Sequence, residues 1–282
     1  MTQRFLCRVQ YVGTGYIGWA SQAAEASRPS DGKRSIQTAL RDALDRFVGA
    51  ANHAGIEGSS RTDKDVHAIA STFHIDISKP HTAYEVWSGL NWHLGADRNA
   101  IAVIDATSVS DSVHARFSAL GREYHYKIVA PREAQSKRML ARALPLHTDR
   151  AWCTPQPLDV GAMRAAASHL IGKHDFSSFR GSGCGASSPV RTIEEIAVHL
   201  EEADDSAVSL VDESQAISIV VKAPSFLYHQ VRNLVGALHE VGSGRWQSND
   251  IATLLAARSR ANAPQMAPAC GLYLRRVLYD EL

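Results

Sequence analysis

A single loop carboxylate with basic and aromatic company is the most chemically suggestive feature of this 282-residue chain. Asp63 lies in the polar run Ser60-Arg61-Thr62-Asp63-Lys64-Asp65-Val66-His67-Ala68. Arg-Thr-Asp triplets are mostly ordinary solvated turns, yet reacting groups are disproportionately found on loops fixed at both ends. A carboxylate so placed can act as nucleophile or general base at a glycosidic centre, provided a cation keeps it ionised as it loses water. Arg232 is the natural cation, because helical spacing puts it beside an apolar stripe and in line with Tyr228 one turn earlier. The competing role for such an arginine is to cover apolar surface with its stem. Tyr124 and Tyr126 follow Arg122 on one strand and share a face. An exposed ring there could stack on an unpaired base, whereas a buried ring would only pack.

The elements flanking Asp63 follow from periodicity. Ile36, Leu40, Ala43, Leu44, Phe47 and Val48 recur at helical spacing behind Ser35, which predicts a helix over 35–50 with Ser35 as N-cap. Ile69, Ser71, Phe73, Ile75 and Ile77 alternate with Ala70, Thr72, His74, Asp76 and Ser78, the period of a half-buried strand over 67–77. The first half then reads strand 4–12, a glycine-rich turn, helix 35–50, strand 67–77, helix 82–94 and strand 100–106. The second half reads strand 121–130, helix 159–171, strands 191–200 and 216–223, and a helix from 226 to 241 with Ser225 as N-cap and Gly242 just past its end. The order repeats in topology, not in letters, and predicts an α+β protein of two domains, 1–110 and 111–282. The Gly/Ser stretch 181–188 and the acidic stretch 201–215 read as loops, the latter as a hairpin tip.

Composition narrows the classes. At 45% hydrophobic and 21% charged the chain is an ordinary globular one, without an apolar run long enough to span a bilayer, and its first residues read as a strand and not as a leader peptide. Cys7, Cys153, Cys184 and Cys270 lie far apart, which argues against a disulfide framework or structural zinc and fits a reducing cytoplasm. The net charge of +1 is uninformative, but bases cluster at Arg132, Lys137, Arg138 and Arg142, at Arg258 and Arg260, and at Arg275 and Arg276, with acid at Glu201, Glu202, Asp204 and Asp205. Each cluster alone is ordinarily a solvated face; together they allow a basic cleft. Gly13-Thr14-Gly15-Tyr16-Ile17-Gly18 matches a dinucleotide fingerprint after a strand, but the loop Ser27-Arg28-Pro29-Ser30-Asp31-Gly32 stands where a helix and second strand would be needed. His199-Leu200-Glu201 lacks the P-C-x-x-C of a zinc deaminase, and neither H-E-x-x-H, G-x-S-x-G nor a phosphate-binding G-x-x-x-x-G-K-[ST] occurs. No metal or organic cofactor is expected.

Taken in order, the segments resemble the TruA-type family of tRNA pseudouridine synthases almost from end to end. The matching pieces are Tyr11-Val12-Gly13-Thr14-Gly15-Tyr16-Ile17-Gly18-Trp19 with Gln22, Ser35-Ile36-Gln37, Ser60-Arg61-Thr62-Asp63 with Val66-His67-Ala68, and Leu90-Asn91. They continue with His114-Ala115-Arg116-Phe117, Arg122-Glu123-Tyr124-His125-Tyr126, His174-Asp175-Phe176, Val190-Arg191-Thr192-Ile193, Phe226-Leu227-Tyr228-His229-Gln230-Val231-Arg232-Asn233, and Ala267-Pro268 with Gly271-Leu272-Tyr273-Leu274. The resemblance implies that Asp63 attacks a flipped uridine or its ribose, that Arg61 helps displace or replace the base, that Tyr124 stacks on it and that Arg232 pairs with Asp63. It further implies two RRM/ferredoxin-like domains sharing a continuous, mostly antiparallel sheet with a central cleft, no metal or cofactor, and a cytoplasmic homodimer gripping tRNA, with neither DNA nor membrane as partner.

Four positions depart from the family pattern. Asp65 stands where the family has glycine, which adds a second negative charge two residues from Asp63 and, if the backbone there has positive φ, costs about 1 kcal/mol. Activity weakened or dependent on bound RNA is the expectation, and a tRNA-binding or tRNA-folding protein with impaired catalysis is the alternative. Ser59-Ser60 replaces the common Ala-Gly and Ala20 a common glutamine, neither at a position with an implied catalytic role.

Overall fold

The computed structural model describes residues 2–20, 34–96, 99–133, 147–201 and 214–280. These form two compact units, one of residues 1–122 with 273–282, the other of residues 123–272. The loop 27–32, Gln22, the basic positions Lys137, Arg138 and Arg142, and the acids Glu202, Asp204 and Asp205 with most of 201–215 lie outside the described residues.

In the first unit, β1 (Gln3–Tyr11) buries the alternating Phe5, Cys7, Val9 and Tyr11, and Leu6 on the opposite face is buried as well. It pairs antiparallel with β3 (His67–Ile77) on one side and β4 (Ile101–Val109) on the other, while β2 (His53–Gly58) pairs antiparallel with β3. The C-terminal strand β11 (Leu272–Leu278) returns to run parallel to β3, with Tyr273 opposite His67 and Leu274 opposite Ala68. Helix α1 (Ile36–Val48) starts as its sequence requires, Ser35 Oγ accepting the Thr38 N–H at 3.0 Å, and buries Ile36, Ala39, Leu40, Ala43, Leu44 and Val48. Phe47 lies against Gly89 of α2 (Ala83–Ala96), where a Cβ would fall 2.4 Å from its ring.

In the second unit, β5 (Gly121–Pro131) runs beside the two-residue parallel strand β6 (Trp152–Cys153), and α3 (Val160–Ala167) follows, capped by Asp159. Strands β7 (Gly172–Asp175) and β8 (Val190–Ile193) pair with each other, and β9 (Glu195–Glu201) pairs antiparallel with β10 (Ser214–Ala223), which neighbours β5. Helices α4 (Gln230–Gly242) and α5 (Ser248–Ala257) complete it.

The expected strand 191–200 is two strands broken at Glu194, whose N–H leaves the ladder to meet the Lys222 carbonyl at 2.9 Å. The cap expected at Ser225 is also displaced: Gln230 Oε1 accepts the Leu227 N–H at 2.8 Å, the chain turns once more, and α4 begins after His229 in the left-handed conformation at φ +60°. Gly242 closes the helix instead of following it, because α3 is in the way: a Cβ there would stand 2.7 Å from Met163 Sδ.

Candidate active site

Asp63 is carried on the loop 59–66 between β2 and β3, and its neighbours in the loop are tied to the first strand and the glycine-rich turn. Thr62 and Val66 are buried while Asp63 is partly so and Arg61 is exposed. Tyr11 at the end of β1 shares a 2.8 Å hydrogen bond between its hydroxyl and Thr62 Oγ1, and the Trp19 N–H donates to the Thr62 carbonyl at 3.0 Å. The Val66 N–H donates to the Asp63 carbonyl at 3.2 Å, closing a turn whose third residue, Asp65, has φ +65°. That left-handed position is the one a glycine fills without strain, and aspartate is among the L residues that tolerate it best.

The glycines that imitate a dinucleotide fingerprint belong to this loop's mounting. A Cβ on Gly13 would lie 2.0 Å from the Val66 carbonyl oxygen, and one on Gly18, at φ +105°, 2.7 Å from that of Thr62. The Gly13 N–H donates to His67 Nδ1 at 3.1 Å, and the His67 ring stacks on Tyr273 of β11 at 4.6 Å. Backbone meets backbone here because no side chain intervenes, so the turn is a wall for the Asp63 loop and not a cradle for pyrophosphate.

Arg122 also holds this loop, a contact that the sequence pattern does not predict. Its Nη2 donates to the Ser59 carbonyl at 3.0 Å and to the Arg116 carbonyl at 3.2 Å, and its Nε to Ser60 Oγ at 3.3 Å. No spacing rule could have found the contacts to Ser59 and Ser60, which lie about sixty positions earlier in the chain.

Tyr124 and Arg232 belong to the second unit. Tyr124, partly buried on β5, meets Phe226 edge-on at 5.2 Å. Tyr126 shares its face but is fully buried, its hydroxyl donating to the Pro268 carbonyl at 2.7 Å, so of the two only Tyr124 is partly exposed. Arg232 in the first turn of α4 donates from Nε to the Ala267 carbonyl at 2.9 Å, and the Ala267 N–H returns a bond to the Arg232 carbonyl at 3.1 Å. One edge of the guanidinium is thereby aimed by backbone. Among the described residues no cluster of three or more His, Cys, Asp or Glu side chains is placed to hold a metal ion, and no helix is long and apolar enough to cross a membrane.

Residues 166–280 match a family model described as tRNA pseudouridine synthase. The protein named tRNA pseudouridine synthase A from Azorhizobium caulinodans is 39% identical over 99% of this chain and 95% of its own length. The chain belongs to the tRNA pseudouridine synthase A family. Its relatives of that name in Bartonella henselae and Xanthobacter autotrophicus are 38% and 39% identical, each over 98% of this chain and 99% of their own length. Membership in the synthase family agrees with the resemblance carried by the Arg61-Thr62-Asp63 loop and the segments around it, and gives the glycine-rich turn a structural explanation independent of any nucleotide cofactor.

Proposed function

We propose that this chain is an isomerase that converts uridine to pseudouridine in tRNA, with Asp63 as the attacking carboxylate. Asp63 adds to the flipped uridine or its ribose, the bond from the sugar carbon to the ring nitrogen breaks, the uracil turns and rejoins through carbon, and the bond to Asp63 is released so that the carboxylate is regenerated. The nitrogen gains the proton that the carbon gives up, so no oxidant, metal or cofactor enters the balance. Arg61 helps displace or replace the uridine, Tyr124 stacks on it, and Arg232 pairs with Asp63 across a cleft between domains that share a continuous sheet. Extruding the base costs a few kcal/mol, offset by basic contacts along the RNA. A cytoplasmic homodimer gripping tRNA completes the reading.

What carries it is the near full-length likeness to synthases of this name, 39% over 99% of the chain. The alternative of a tRNA-binding protein with impaired catalysis rested on Asp65, and it is not favoured, since the loop keeps its anchors at Thr62 and Val66 with aspartate at φ +65°. Carbodiimide-dependent reverse-transcription stops on unmodified tRNA transcripts test the proposal. New stops with the parent and none with Asp63→Ala support it; tRNA bound by both proteins with no stops from either would restore the alternative.

A further inference from the structure

Phe117 is a large apolar side chain left 77% exposed, and it is held rigidly. His114 Nδ1 accepts the N–H of Arg116 at 3.1 Å and of Phe117 at 3.4 Å, the Ser118 N–H returns to the His114 carbonyl at 2.9 Å, and Ser118 Oγ accepts the His114 N–H at 2.9 Å. The His114 ring supports that of Phe117 at 4.4 Å, and the Arg116 guanidinium lies 5.6 Å from the ring centroid. Below them, Tyr279 donates its hydroxyl to the Ala115 carbonyl at 2.6 Å and His74 Nδ1 accepts the Ala115 N–H at 3.2 Å. The turn is thus anchored at four successive residues while the ring it presents gains little from burial.

This turn is mounted on the catalytic loop. Arg122 Nη2 holds the Arg116 carbonyl and the Ser59 carbonyl at once, and Asp63 lies three residues beyond Ser60, at most about 11 Å of chain. We infer that Phe117, backed by Arg116, is a stacking platform for an unpaired base next to the uridine on which Asp63 acts. An aromatic face accepts any base, and a guanidinium beside it meets the neighbouring phosphate or extends the stack. Because the backbone that carries the ring is fixed beforehand, only the side chain remains to be ordered when the base arrives. The platform thereby favours uridines in loops and loosely stacked stems, where a neighbouring base is available, without reading its identity.

The inference rests on the tRNA pseudouridine synthase reading, and the test separates the two. Steady-state kinetics on an unmodified tRNA transcript would be compared for the parent, Phe117→Ala, Phe117→Leu and Phe117→Trp, with melting temperatures alongside. The expected result is a KM raised roughly five- to a hundred-fold for Ala and Leu, kcat within about two-fold, parent-like KM for Trp and unchanged melting. Leu restoring KM as well as Trp would show packing instead of stacking, and Ala matching the parent would remove the platform altogether; either outcome overturns the inference while the parent's own turnover upholds the synthase reading. A parent that forms no pseudouridine on any transcript overturns both.

Discussion

Gly18 stands against the carbonyl of Thr62, the residue immediately before Asp63, so closely that a Cβ would sit 2.7 Å from the oxygen. The Trp19 N–H next to it holds the same oxygen at 3.0 Å. The glycine-rich turn and the Asp63 loop are therefore one structure, and on the proposed role of Asp63 changes in the turn should be read in catalysis.

Gly13→Ala is the sharpest case, because its Cβ would meet the Val66 carbonyl oxygen at 2.0 Å, backbone against backbone. The loop must move, so kcat is expected to fall at least ten-fold, with about 1–3 kcal/mol lost in stability from overpacking. Gly15 has nothing within 4 Å but a φ of +91°, so Gly15→Ala costs about 1 kcal/mol and leaves kcat near the parent. Single-turnover rates and thermal melting of the two variants distinguish a wall from a generally fragile turn.

Tyr11→Phe removes one hydroxyl and leaves buried Thr62 Oγ1 without its 2.8 Å partner. About 1–3 kcal/mol of stability should be lost, and the rate with tRNA should fall with it as Thr62 loosens. Urea unfolding beside single-turnover assays checks both, and a stable variant of full rate would show that this bond does not position Asp63.

Asp65→Gly should leave stability within about 1 kcal/mol, since relief of the left-handed aspartate is offset by the greater freedom of glycine in the unfolded chain. It also removes a negative charge two residues from Asp63, the proposed attacking carboxylate. The chemical step is expected to quicken, most visibly at low tRNA concentration, and a variant no faster than the parent would show that Asp65 imposes no burden.

His239 supplies a pH dependence away from the site. It stacks on Trp152 at 4.1 Å, bonds Thr154 Oγ1 through Nε2 at 3.1 Å and meets Arg245 Nη2 through Nδ1 at 3.3 Å. Burial first, and the Arg245 charge second, lower its pKa from 6.5 to about 4. The unfolded chain therefore takes up the proton first on acidification. The stability tied to neutral His239 is complete above pH 6.5 and is lost as pH falls toward 4, by about 3 kcal/mol in all. Melting temperature against pH should fall less steeply for His239→Gln than for the parent, and parallel curves would assign the acid sensitivity elsewhere.

Much of the first unit was legible because its signals are local. Ser35 caps α1 through a residue three positions on, and the alternation around Phe73 and Ile75 marks β3 within its own strand. What escaped depends on distant partners. β11 carries the pair Arg275-Arg276 and lies beside His67 and Ala68 of β3, about two hundred residues earlier. Gly242 looked like a helix terminator but is small to admit Met163. At the site, the resemblance singled out Asp63 and Arg61, whereas the mounting of their loop by Gly13, Gly18, Tyr11 and Arg122 is tertiary and left no mark in spacing.

The most direct measurement is single-turnover pseudouridine formation on tRNA by the parent and by Asp63→Asn, which keeps the shape of the side chain and removes its nucleophilic charge. The account predicts a rate reduced by about 10³-fold or more, with tRNA affinity and melting temperature close to those of the parent. A variant within ten-fold of the parent's rate would contradict it, and would place the attacking group elsewhere in the chain.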